Sequence, residues 1–229
     1  MKKEDWLFVG YYTPDKNYPA LAQRMQASVM AQGFECQIFE RPSIVCKEEP
    51  PMPWVLNCAQ CAEFCLEAFD RFPDRHIFYL DADAEMIRFP ALLLSPDLPE
   101  FDVAAPILNN DFRTNQLVSN SLIFRRTKNA RKVLEIWVEE QKFRCEKMLN
   151  GWYNSPYKEV WDQQTLQDVL ERSAEVLFLE LPWEYAKIAP KRGHELMPNV
   201  DPEKVVIVQR QVSRKNRRRV RNSGADSSL

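Results

Sequence analysis

Four apolar residues, Ile77-Phe78-Tyr79-Leu80, run directly into Asp81-Ala82-Asp83, and no other stretch constrains the chain as much. A short continuous apolar run suits a strand covered on both faces, the situation of a central strand in a mostly parallel sheet. Parallel strands need long crossovers, usually helical. The flanking sequence supplies them. Trp6–Tyr12 reads as a first buried strand closed by the turn signal Thr13-Pro14-Asp15. A helix is predicted over 19–32, with Leu21, Ala22, Met25 and Val29 inward and Gly33 as its stop, then a strand over Glu35–Glu40. After Pro50-Pro51-Met52-Pro53 a long helix is predicted over 55–69. Further strands are predicted at 103–106, 121–125, 176–181 and 205–209, and helices at 127–149 and 163–173. This alternation predicts an α/β fold with a mixed, mostly parallel central sheet flanked by helices. There is no internal repeat.

In an open α/β sheet, ligands gather at the carboxyl ends of the strands, where Asp81 and Asp83 fall. An i, i+2 spacing on extended backbone sets both side chains on one side. Two carboxylates that close repel, and a divalent cation relieves the repulsion. Oxygen ligands suit Mg²⁺ or Mn²⁺, which complete their shells with phosphate oxygens and water. Such an ion neutralises charge on a departing diphosphate. The competing reading is a solvated turn after a buried strand, since Asp is common in turns.

The remaining composition narrows the classes. The 45% hydrophobic content of a 229-residue chain is enough for a sizeable core and argues against disorder. The net charge of −2 hides an asymmetry: eight Lys and Arg stand against two acidic residues from Glu203 to Leu229, so the body is acidic and the tail basic. Residues 1–213 are expected to form one domain, and 214–229 a basic, disordered tail. That tail is read as a solvated end, a diphosphate clamp through Arg214, or a peripheral contact with anionic membrane; no specific nucleic acid is expected. No apolar run reaches the roughly 20 residues of a membrane span, and no signal peptide is evident at Met1-Lys2-Lys3, so the expected location is cytoplasmic. Cys58, Cys61 and Cys65 lie along one helical face. Without a second C-x-x-C pair or a nearby His they read as buried thiols rather than a zinc cluster.

Ile77-Phe78-Tyr79-Leu80-Asp81-Ala82-Asp83-Ala84 resembles the D-x-D segment of nucleotide-diphospho-sugar transferases of the GT-A fold, and further segments follow in that family's order. Val9-Gly10-Tyr11-Tyr12-Thr13 resembles the first strand and nucleotide-binding turn, which implies that Tyr12 and Thr13 face the base. Pro53-Trp54 with Asn57 resembles the start of the helix bordering the donor site. Ser119-Asn120-Ser121-Leu122-Ile123-Phe124 resembles the strand lining the acceptor side, which implies sugar contacts from Asn120 and Ser121. Trp161-Asp162-Gln163-Gln164 resembles the acidic segment at the reaction centre, with Asp162 orienting or deprotonating the acceptor. Leu181-Pro182-Trp183-Glu184-Tyr185 and the run from Val205 to Arg214 complete the set, so the resemblance covers roughly residues 6 to 215. It implies a single GT-A-like, Rossmann-like domain that is a metal-dependent glycosyltransferase. Asp81 and Asp83 would hold Mn²⁺ or Mg²⁺, with Asp81 also near the ribose. The implied partners are a nucleoside-diphosphate sugar donor and a carbohydrate or other hydroxyl acceptor, possibilities that include surface polysaccharide.

Two positions depart from the family. Cys61 stands where relatives commonly carry Lys, and Gln209 where they commonly carry the His that completes the metal shell. An amide oxygen still suits Mg²⁺ or Mn²⁺, with less preference for Mn²⁺ than imidazole gives. His76, at the wrong end of its strand, and His194, in a polar loop, are not expected to substitute. For Asp162, Asn120 and Ser121 structural roles stay open: a helix N-cap for the first, satisfaction of a strand edge for the others. Trp152, Tyr153 and Trp183 read as core aromatics or as sugar-stacking platforms. The departures also leave open a catalytically inactive nucleotide-sugar-binding module. A nucleotidyltransferase is disfavoured, because Tyr11-Tyr12-Thr13-Pro14 is not a glycine-rich phosphate loop.

Overall fold

Strand β1 (Trp6–Tyr12) pairs in parallel with β2 (Glu35–Glu40) on one side and β3 (His76–Leu80) on the other. The computed structural model that defines this arrangement describes residues 1–14, 17–44, 52–110, 113–151, 160–189 and 200–210. The sheet continues through β8 (Ser121–Phe124), β5 (Val103–Ala105) and β9 (Phe178–Glu180), in the order β2-β1-β3-β8-β5-β9. β8 alone runs antiparallel, against both β3 and β5. The central sheet is therefore mixed and mostly parallel, as the sequence predicts.

Period-two alternation sorts the strand residues onto two layers. Trp6, Phe8, Phe78 and Leu80 face helix α1 (Tyr18–Ala31), meeting Met25 and Val29. Leu7, Val9, Ile77 and Tyr79 face the opposite layer, formed by α2 (Met52–Arg71), α3 (Lys128–Leu149) and α4 (Asp162–Glu171). Fully burying a large apolar side chain contributes about 1.5–3 kcal/mol, so Trp6, Phe8 and Phe78 alone tie β1 and β3 firmly to α1. Gly10 permits this closeness. A Cβ there would lie 2.6 Å from Met25 Cε and 2.8 Å from the Leu80 carbonyl oxygen, and the latter is backbone that cannot swing away. Cys61 and Cys65 are buried against the sheet with Phe64, and Cys58 is half-buried, so the cysteine face packs as expected.

A three-stranded sheet caps the carboxyl end of the first. It consists of β4 (Ala84–Met86), β10 (Lys187–Ile188) and β11 (Ile207–Gln209), with β11 in the middle. The strand predicted at 205–209 forms here as β11, on the edge that β4 offers as it continues from the Asp81 turn. One expectation needs correction. The strand predicted at 176–181 shortens to Phe178–Glu180, since the Leu177 N–H is taken by the Asp102 carboxylate at 2.9 Å. A hairpin of β6 (Ile107–Asn110) and β7 (Arg113–Leu117) was not foreseen; its polar run lacks a strand's apolar alternation. Among the described residues no helix is long and apolar enough to cross a membrane.

Candidate active site

The chain leaves β3 at Leu80 and turns at once. The Asp81 N–H donates to the Asn120 carbonyl at 3.2 Å, and the Ala84 N–H to the Asp81 carbonyl at 2.9 Å. This turn stands at the carboxyl end of β3, beside the start of antiparallel β8. Asp83 is 8% exposed, and Asp81 is half-buried. The Tyr79 hydroxyl donates to Asp81 Oδ1 at 2.9 Å, as expected for residues two apart on one face of a strand. Burial pushes the Asp81 carboxyl up to about 8, helped by the charges of Asp83 and Asp162 and only partly opposed by the Tyr79 bond. Among the described groups acting on it, none is basic. Three acidic side chains are thus concentrated where charge is costly.

Asp162 opens α4, but not as its cap. Trp161 holds the N-cap position, and Asp162 is the first helical residue, with its carbonyl fixed by Trp137 Nε1 at 3.1 Å. The N-cap expectation is therefore corrected. A carboxylate in a first turn is still favoured by the helix dipole. Burial nevertheless raises the Asp162 carboxyl to about 6, against bonds from the Ser119 hydroxyl and the Gln163 N–H.

Gln209 arrives from the other sheet. The β11–β4 register sets it opposite Ala84, and the next N–H, of Arg210, donates to the Asp83 carbonyl at 3.2 Å. Its Nε2 donates to the Asn120 carbonyl at 2.9 Å and to Ser121 Oγ at 3.2 Å. Its Oε1 is buried without a hydrogen-bond partner among the described residues, as is Asn120 Oδ1. Ser121 is fully buried and its hydroxyl donates to the Tyr185 carbonyl at 2.9 Å, so Ser121 reaches the site only through Gln209.

At the end of β1, Thr13 is buried and Tyr12 is half-buried, its hydroxyl on Glu40 Oε2 at 3.2 Å. The Asn57 side chain is committed to the Ile44 backbone, accepting from its N–H at 2.8 Å and donating to its carbonyl at 3.2 Å. It thus pins the 41–44 segment beside the site. Tyr11, which the sequence reading left without a role, donates to the Asn57 carbonyl at 2.9 Å and stacks near Tyr79. Burial, with Cys61 and Cys58 nearby, holds the Tyr11 phenol well above its ordinary pKa. Spacing signalled Tyr79, two residues before Asp81; Ser119 was legible only as the first residue of the segment that contains Asn120 and Ser121. His76 accepts from the Arg126 N–H through Nδ1 at 3.0 Å, at the amino end of β3. Trp183 is half-buried in a 3₁₀ turn. Arg214, Trp152, Tyr153, His194 and the basic tail lie outside the described residues.

Among the described residues no group of three or more His, Cys, Asp or Glu is placed to hold a metal ion. The Asp81 and Asp83 carboxylates, two residues apart at this turn, are hard oxygen donors that fit Mg²⁺ or Mn²⁺ completed by phosphate and water. They do not fit a nitrogen- or thiolate-seeking ion.

No protein-family model matches the chain, and no curated protein matches it. Solved structures do. A glycosyltransferase involved in the glycosylation of the major capsid of PBCV-1 superposes with a TM-score of 0.58 at 13% identity, over 92% of this chain and 96% of its own. The glycosyltransferase GlyE of Streptococcus pneumoniae TIGR4 gives 0.56 at 12% identity, over 90% of this chain and 54% of its own. The bifunctional glycosyltransferase WbbM gives 0.50 at 12% identity, over 90% and 45%. This chain thus spans about half the length of the last two. Identities this low bear on architecture alone, and on architecture they agree with the sequence: the chain has the GT-A-like fold of these glycosyltransferases.

Proposed function

We propose that the protein transfers a sugar from a nucleoside-diphosphate sugar to an acceptor hydroxyl, with Asp81 and Asp83 as the residues that would hold a divalent cation. One observation carries the proposal: Asp81, Asp83 and Asp162 converge at the carboxyl end of the central strands without a basic group acting on Asp81 among the described residues. When bound, the cation neutralises charge developing on the departing diphosphate.

The chain's own residues do the rest. Tyr79 fixes Asp81 Oδ1 and leaves Oδ2 for the donor side. Asp162, anchored by the first turn of α4, takes the acceptor's proton or orients its hydroxyl, since a carboxyl near 6 is mostly ionised at neutral pH. Asn120 Oδ1, buried and unpartnered among the described residues, is an acceptor available to a sugar hydroxyl. Thr13 and Tyr12 at the end of β1 form the wall for the nucleotide, with Arg214 as a phosphate contact. The basic tail would meet anionic membrane.

The test is donor hydrolysis and transfer across a panel of UDP- and GDP-sugars, with Mg²⁺ or Mn²⁺ and with excess EDTA. Turnover is expected with the ions and lost with chelator. Turnover unaffected by EDTA, or retained by Asp83→Ala, would overturn the ion's role. Donor binding without turnover on any acceptor would mark a binding module instead.

A further inference from the structure

We infer that Gln141 and Trp137, one turn apart on the buried face of α3, are positioning residues for the Asp162 carboxyl, acting through the main-chain carbonyls of Val160 and Asp162. The inference rests on Asp162 serving the acceptor, as proposed above.

Val160, Trp161 and Asp162 lead into α4, and each is held. Trp137 Nε1 donates to the Asp162 carbonyl at 3.1 Å, and Gln141 Nε2 to the Val160 carbonyl at 2.7 Å. A main-chain carbonyl can only accept, so the Gln141 amide must turn its nitrogen there. Residues four apart on a helix share a face, which lets one helix grip both carbonyls. The Val160 side chain is buried with Val55, Leu56 and Met148, and the Trp161 ring stands edge-on to Trp54 at 6.2 Å. From the far side the Ser119 hydroxyl bonds the Asp162 carboxyl itself.

The pivot of this entry is Trp161. It caps α4 on extended backbone, with φ −60° and ψ 135°, and the next residue is already helical. A rotation there would swing the Asp162 carboxyl, and the two bonds from α3 fix the carbonyls on either side of it. The buried face of α3 is otherwise apolar or aromatic. Gln141 is 3% exposed on it, where an amide is costly unless hydrogen-bonded. Displacing a reacting group by about 1 Å, even from a remote position, lowers a rate by about a hundredfold. Arg144 supplies a contrast on the same helix. It joins Asp168 at 2.7 Å and Glu140 at 2.8 Å, and so ties α3 to the body of α4 rather than to its entry.

The experiment uses the full chain and the UDP- or GDP-sugar that it hydrolyses with Mg²⁺ or Mn²⁺. It measures kcat, donor KM, Tm and amide exchange at Thr165, whose N–H donates to the Trp161 carbonyl at 2.9 Å. Gln141→Met keeps the length of the side chain and removes the donor. It is expected to lower kcat by about tenfold or more while donor KM stays within about twofold. Thr165 exchange should quicken by about tenfold. Trp137→Phe retains an aromatic ring against Phe124 and deletes only the indole N–H, and should lower kcat in the same way. It also serves if Gln141→Met does not fold. Arg144→Met should lower Tm but leave kcat within about twofold. Wild-type kcat per folded molecule in Gln141→Met and Trp137→Phe, or an equal loss of kcat in Arg144→Met, overturns the inference, because packing would then account for the bonds. So does unchanged Thr165 exchange in both variants. Faster exchange in both, beside a wild type that hydrolyses no donor, leaves the positioning standing and removes the transferase reading.

Discussion

Two aspartates at opposite ends of the sheet are treated in opposite ways. Asp102 precedes β5, at the amino end of its strand, and is 5% exposed. It accepts from the Thr127 hydroxyl at 2.6 Å, Asn129 Nδ2 at 3.1 Å and the Leu177 N–H at 2.9 Å. Burial pushes its carboxyl up, but the bonds from Thr127, Leu177 and Asn129, with the Arg125 charge, outweigh it and leave it below the ordinary value. Asp81, at the carboxyl end of β3, has one hydroxyl bond and two acidic neighbours, and is held near 8. The difference separates a carboxylate that organises the fold from one whose charge no described basic group balances. Thr127 shows the first role well: its oxygen also caps α3 by accepting from the Ala130 N–H at 3.1 Å.

Substitutions at the two ends should separate cleanly. Asp162→Asn, at the unbalanced end, is expected to lower the transfer rate by about a hundredfold or more while leaving Tm nearly unchanged. In the wild type the rate should rise as pH passes through about 6 and level off above, because the ionised carboxyl is the working form. A rate flat from pH 5 to 8, or a mild loss in Asp162→Asn, would take the proton-accepting role from this residue.

Asp102→Ala should do the reverse. It strands the Leu177 N–H and the Thr127 and Asn129 donors, and is expected to cost about 3 kcal/mol, or a Tm lower by about 6–12 °C. Activity per folded molecule should hold. A calorimetric scan showing no change would remove the organising role.

A smaller effect is expected from Asp81→Asn in chelator. The folded-state pKa of Asp81 is raised, so its carboxyl costs nothing below about 4, the unfolded value. Stability then falls as pH rises through the window up to about 8. Removing the charge should therefore raise Tm by about 4 °C at pH 8 and not at pH 4. Added Mg²⁺ should shrink the gain. A gain independent of pH would mean that packing, not charge, is responsible.

The smallest change is Tyr79→Phe, which keeps the ring against Phe64 and Tyr11 and deletes only the bond to Asp81. Loss of such a partner behind a ligand is expected to weaken Mn²⁺ binding by about tenfold. Unaltered binding in a Mn²⁺ titration would reduce Tyr79 to a packing role.

Much of this architecture was legible in the sequence because the deciding signals are local. The apolar run of β3, the helical spacing of Ala22, Met25 and Val29, and the Thr127 start of α3 each read within a few residues, and their elements fall within a few positions of expectation. The shortfalls have a common cause. β4 is three residues long and exists because β11 pairs with it. Gly10 reads as an ordinary strand residue until Met25 and the Leu80 carbonyl come within contact of its missing Cβ. Asp162 looks like a cap, and only the packed start of α4 makes Trp161 the cap instead. Asn57 follows the pattern of a donor-site residue, yet its amide is turned onto the Ile44 backbone.

The sequence by itself determined that an acidic pair ends a buried central strand, because hydrophobic periodicity and the Asp81-Ala82-Asp83 spacing are properties of adjacent residues. Tertiary structure alone decided how that pair is surrounded. Gln209 lies 89 residues from the Asn120 carbonyl that orients it, and Asp162 lies in a different helix altogether. Burial, hydrogen-bond partners and repulsion between carboxylates depend on distance in space, so only the folded chain sets Asp81 near 8 and turns Gln209 Oε1 out unpartnered among the described residues.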